Sequence, residues 1–231
     1  IVVDANNPRY DSRNNCNAIL HTELKMLVAA CHTTVILDVL EIIGDNAFQG
    51  VYPFQELVLP HNVKCIGRSA FGDNPSLQRV VIPESTELIG PYAFSHCTAL
   101  SDIILPHKYI EISEDAFSGT ACVNSQSPGA AYVGNHLCCY TPYTEDGTEP
   151  DCVIPEGIEY IDAGIFHFAP PMRIFFPKSL KGVDICAFIP DESEHELITP
   201  DGMGEDYPVK NGRIAFQHDI NDHWWDILNN E

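Results

Sequence analysis

The stretch Leu77-Gln78-Arg79-Val80-Val81-Ile82-Pro83, followed by Ile89-Gly90 and Ala93-Phe94, decides the fold, because it returns as Leu100-Ser101-Asp102-Ile103-Ile104-Leu105-Pro106, Ile112 and Ala116-Phe117. Working outward from it, Phe48, Phe71, Phe94, Phe117, Phe166 and Phe188 are separated by 23, 23, 23, 49 and 22 residues. Eleven positions before each Phe stands Leu37, Pro60, Pro83, Pro106, Pro155 or Pro177, and Pro200 continues that column. Ala47, Ala70, Ala93, Ala116, Ile165 or Ala187 immediately precedes the Phe, and Ile43, Ile66, Ile89, Ile112, Ile161 or Val183 lies five before it. Aligned columns at a constant period are the signature of a repeat architecture.

One unit explains the columns. Leu57, Val58 and Leu59 form a β-prone run that ends at Pro60, which has no N–H for a ladder. Val63 and Ile66 point back into the same interior, Gly67 permits a turn, and Ser69, Ala70 and Phe71 suit a helical or 3-10 turn. A unit of this size cannot bury its own apolar side chains, so stability comes from stacking on its neighbours.

The pattern Leu-x-x-Ile-x-Leu-Pro, then x-Val-x-x-Ile-Gly-x-x-Ala-Phe, resembles the BspA-like leucine-rich repeat family of bacterial surface proteins, over roughly residues 34 to 117 and 152 to 200. That resemblance implies a mainly β member of the α/β class: a right-handed leucine-rich repeat solenoid with a parallel sheet on its concave side. It also implies export to the cell surface or secretion, adhesion to host extracellular matrix or plasma proteins, and no catalysis.

Three segments break the period and read as hairpin insertions near residues 5–33, 118–151 and 201–217 of a single solenoid spanning 1–217. The first carries Tyr10, Ala18 to Leu20 and Met26 to Ala30; the second Tyr132, Gly134, Asn135 and Leu137 to Tyr140; the third Tyr207, Asn211, Gly212 and Ile214 to Phe216. Each is either a lengthened loop or a contact surface. Ile1-Val2-Val3 reads as a strand with an exposed edge, which favours a module of a longer array. Residues 218–231, with Trp224 and Trp225 among acids, read as a cap or tail, with a partner-binding segment as the alternative.

Strand alternation places the candidate site. With Leu57 and Leu59 inward, the outward column is Val35, Val58, Val81, Ile104, Val153, Phe175 and Ile198, and beside it run Thr33, Glu56, Arg79, Asp102, Asp151, Arg173 and Glu196. An apolar stripe rimmed by charge is either a docking surface for protein or a set of β-branched residues packing across parallel strands. A second chain or a hairpin covering it is the third reading.

The remaining chemistry is sparse. Twelve basic against 33 acidic side chains give a net charge of −21, which argues against nucleic-acid binding. The longest apolar run, Met26 to Cys31, is too short for a membrane span. Nine cysteines cannot all pair; Cys152 sits in an inward core column, while a Cys16–Cys31 bridge stays open. No Gly-x-Ser-x-Gly elbow, phosphate loop or His-Glu-x-x-His is present, so no cofactor or metal is expected. The acidic loops at 144–151 and 191–196 read as solvated, with Ca²⁺ as the alternative, and His218, Asp219, Asp222 and His223 form the one cluster with transition-metal ligand types. Three functions follow: a binding protein, an inert spacer within a larger surface protein, or a metal-dependent hydrolase.

Overall fold

A computed structural model describes residues 1–53, 55–126, 129–141, 151–166, 169, 171–184, 186–188, 195–203, 208–210, 213–214 and 217–218. They form two compact units, one of residues 1–122 and one within residues 123–220.

In the first unit the repeats build two parallel ladders, in which each strand stacks on its equivalent in the next repeat. Glu56–Val58, Arg79–Val81 and Asp102–Ile104 pair in parallel with Leu57 opposite Val80 and Val80 opposite Ile103. Leu57 and Val80 are buried, whereas the residues flanking them face outward, so the alternation read from the sequence holds. A second parallel ladder joins Ile42–Ile43, Cys65–Ile66, Leu88–Ile89 and Glu111–Ile112. The sequence places Ile66 inside but does not announce this ladder, because a strand of two residues that are both buried shows no alternation.

Between the second strand and the next repeat lies the Phe turn. Phe48, Phe71, Phe94 and Phe117 are buried and their rings stack at 5.0, 5.4 and 5.5 Å with interplanar angles of 8°, 5° and 8°. Each buried ring contributes about 2–3 kcal/mol of transfer free energy, and stacking adds roughly 0.5–1.5 kcal/mol. The backbone stacks as well: the N–H groups of Phe48, Phe71 and Phe94 donate to the carbonyls of Ala70, Ala93 and Ala116 at 2.7, 2.8 and 2.8 Å. These turns are not the helical segments the sequence suggested. Asn46, Ser69, Tyr92 and Asp115, two before each Phe, and Gly50, Asp73, His96 and Gly119, two after, all have positive φ. Backbone that alternates into the left-handed region cannot propagate a helix. Among the described residues helix is confined to Arg13–Asn15 and Ala121–Asn124.

The second unit repeats this plan. Cys152–Val153, Arg173–Phe175 and Glu196–Ile198 form one parallel ladder, and His136–Thr141, Tyr160–Ile161, Gly182–Asp184 and Gln217–His218 form the other. Its core gathers Leu137, Ile161, Phe166, Ile174, Val183 and Phe188, with Phe166 and Phe188 stacked at 4.8 Å. Cys152 lies in that core as expected, and burial pushes its thiol up to about 12. Cys16 and Cys31 are not bridged to each other; both are thiols.

The three insertions are antiparallel hairpins. Tyr10–Asp11, Ile19–His21 and Met26–Ala29 pair in succession, Gly129–Val133 pairs with His136–Thr141, and Val209–Lys210 pairs with Arg213–Ile214. The first two also extend the sheets: Met26–Leu27 pairs in parallel with Ile42–Ile43, and His136–Leu137 with Tyr160–Ile161. Ile1-Val2-Val3 is not a strand; Val2 is 91% exposed and the Val3 N–H donates to Ser12 Oγ at 3.0 Å. Residues 142–150, 191–194 and 219–231, with Tyr207, Asn211, Gly212 and Phe216, lie outside the described residues, and with them most of both acidic loops and the Trp224-Trp225 tail.

Candidate binding faces

Each unit presents one outward sheet face. On the first, Val58, Val81 and Ile104 stand in register across three strands, with Val58 62% and Ile104 38% exposed. Beside them Glu56, Arg79 and Asp102 form a second row: Arg79 Nε lies 3.1 Å from Glu56 Oε1, and Arg79 Nη1 donates to Asp102 Oδ2. On the second face Val153, 67% exposed, lines up with the half-buried Phe175 and Ile198. Arg173 there donates to Asp151 at 2.8 and 2.6 Å, stands in register with Glu196, and holds its guanidinium 5.7 Å from the Phe175 ring. The sequence columns therefore land together on two three-stranded faces.

Val35 departs from the column. It is exposed at 58%, but residues 34–37 form no strand and its N–H donates to the Cys16 carbonyl at 2.9 Å. The first hairpin captures this segment: Thr34 Oγ1 donates to the Asn17 carbonyl at 2.7 Å, and Asn17 Nδ2 donates to Thr33 Oγ1 at 3.2 Å. The position lacks the strand-ending proline, which Leu37 replaces, and that is the signal that sets it apart.

One buried polar cluster escaped the sequence reading. His136 Nδ1 lies 2.7 Å from Asp162 Oδ1, and Cys138 Sγ donates to Asp162 Oδ2 at 3.0 Å, all three side chains being buried. Burial pushes the Asp162 carboxyl up from its ordinary value, while His136 and the thiol pull it back. His136 and Cys138 of the hairpin both engage Asp162 of the following repeat, so the cluster ties the second hairpin to that repeat. The signal was in the repeat itself: Asp162 and Asp184 occupy the column that holds Gly44, Gly67 and Gly90 in the first unit. Among the described residues no group of three His, Cys, Asp or Glu side chains is arranged to hold a metal ion.

Stacked parallel rungs around a phenylalanine spine, with open sheet faces, define a repeat solenoid, a class that works by presenting surface. The BspA type leucine rich repeat region matches residues 29–136 in six copies, so this part of the chain is similar to that family. Such repeat proteins typically serve protein interaction or structural roles.

Among solved structures the chain is similar to a leucine rich repeat protein of T. pallidum, at 24% identity over 68% of this chain and 73% of that one, with a TM-score of 0.38. It is similar to a leucine-rich repeat protein from Bacteroides ovatus, at 20% identity over 74% of this chain and 51% of that one, TM-score 0.42. A leucine rich cell surface protein from Faecalibacterium prausnitzii is 21% identical over 71% of this chain and 59% of that one, TM-score 0.32. The chain thus spans only about half to three-fifths of the last two. No curated protein matches it. Among the described residues no helix is long and apolar enough to cross a membrane.

Proposed function

We propose that this chain is a non-enzymatic binding module of a bacterial cell-surface protein, adhering to host matrix or plasma proteins through its outward sheet faces. The observation that carries this reading is the aliphatic row Val58, Val81 and Ile104, in register beside a charged row, with Val58 and Ile104 exposed and Val81 half-buried between them. Apolar rows rimmed by charge are the anatomy of protein interfaces, where the apolar part supplies affinity and the rim orientation. The similarity of residues 29–136 to BspA type leucine rich repeats supports protein interaction as the general role.

A spacer role is favoured by one feature of the same row: β-branched residues directly opposite one another also stabilise parallel strands. Threonine separates the two readings, because it keeps the branch at Cβ while replacing apolar surface with a hydroxyl. The test is surface-plasmon binding of the full chain to a panel of matrix and plasma proteins, repeated with Val58→Thr, Val81→Thr and Ile104→Thr combined. The binding module loses affinity for its partner about tenfold while keeping its circular dichroism spectrum. A folded triple variant that binds unchanged, or a wild-type chain that binds nothing on the panel, rejects the reading.

A further inference from the structure

The two faces carry the same order of charges. Across the rungs the first reads Glu56, Arg79, Asp102 and the second Asp151, Arg173, Glu196, each beside its apolar row. In both, the arginine is already engaged: Arg79 hydrogen-bonds to both of its neighbours, and Arg173 binds Asp151 while lying over Phe175. One guanidinium balances one of two carboxylates, so each face offers an incoming partner a net negative row next to an apolar one. The chain as a whole, at −21, reinforces that sign.

We propose that each face takes a segment of partner protein with basic side chains along one edge and aliphatic side chains along the other, so that one chain binds two such segments. This rests on the docking role proposed above and adds to it the sign of the partner and the number of sites. The spacing fits. The charged and apolar residues of a rung are two positions apart, about 7 Å, and neighbouring rungs are about 4.8 Å apart, so the two carboxylates of a face stand roughly 10 Å from each other. An extended segment laid across the rungs sends alternate side chains to opposite edges, placing every second residue over the acidic row and the others over the apolar row.

The test is isothermal titration calorimetry of the full chain with an octapeptide alternating lysine and valine, at low and at high salt, against its glutamate–valine counterpart. Two lysine–valine peptides bind per chain, binding weakens at high salt, and the glutamate–valine peptide does not bind. Glu56→Gln combined with Asp102→Asn turns the first face from net negative to net positive and lowers the stoichiometry from two to one. A stoichiometry of one in the unmodified chain, equal binding of both peptides, or an unchanged stoichiometry in the double variant overturns the inference. The threonine triple variant keeps the two proposals distinguishable: if it removes a site while the charge variant keeps both, the docking face stands and the basic partner falls. If neither variant changes binding, both fall.

Discussion

At the scale of single residues, the repeat is held by polar side chains that never form a conspicuous column. Three positions after Phe71, Phe94 and Phe117 stand Asn74, Cys97 and Thr120. Asn74 Nδ2 donates to the carbonyls of Phe48, Phe71 and Gly72 at 2.9, 2.7 and 3.2 Å, while Cys97 Sγ and Thr120 Oγ1 donate to the carbonyls of Phe71 and Phe117 at 3.1 and 2.8 Å. Three chemistries meet one requirement, the buried carbonyls of the Phe turn. The first hairpin uses charge instead. Arg13 Nε donates to Asp11 at 2.9 and 3.0 Å, holding the Asp11 carboxyl at about 2 against an ordinary 3.8. Because folding lowers this pKa, the contribution is fully present above pH 3.8 and disappears as pH falls towards 2. Asp11→Asn therefore lowers stability at pH 7 by at most about 1 kcal/mol, given the exposure of the pair, and the difference from wild type closes on acid titration. Urea unfolding at a series of pH values checks this, and a difference that grows in acid contradicts it.

At the scale of elements, glycine and left-handed backbone have exchanged the places the sequence suggested. Gly67 does not serve a positive-φ turn; a Cβ there would lie 2.4 Å from Asp45 Oδ1 and 2.8 Å from the Asp45 backbone nitrogen, so the glycine marks close approach between successive repeats. Gly67→Ala must force those turns apart and destabilises by about 1–3 kcal/mol, read as a lowered urea midpoint; an unchanged midpoint means that the turns give way freely. The left-handed positions two before each Phe fall instead on Asn46, Ser69, Tyr92 and Asp115, residue types so mixed that no column announces them. The strands, proline stops and phenylalanine spine were legible because each fixes one residue type at one phase of the period. The short second ladder was not, since two consecutive buried residues carry no period, and of the His136–Asp162–Cys138 cluster only Asp162 breaks a column, its partners lying in an insertion.

At the scale of the molecule, two units built on one plan each expose a parallel sheet face with an apolar row beside an acid–arginine–acid row. Of the seven apolar positions that sequence alternation proposed, six lie on these faces. Val35 was lost because a hairpin that interrupts the period captured its backbone, a tertiary effect invisible to local alternation. The faces are the central claim, and the hairpins are the competing surface. Carbodiimide footprinting of carboxylates, read by mass spectrometry with and without a bound matrix or plasma protein, decides between them. The account predicts that Glu56 with Asp102, or Asp151 with Glu196, becomes protected while Asp11 and Glu23 of the first hairpin stay labelled. Protection of Asp11 and Glu23 with both faces still fully labelled would contradict it.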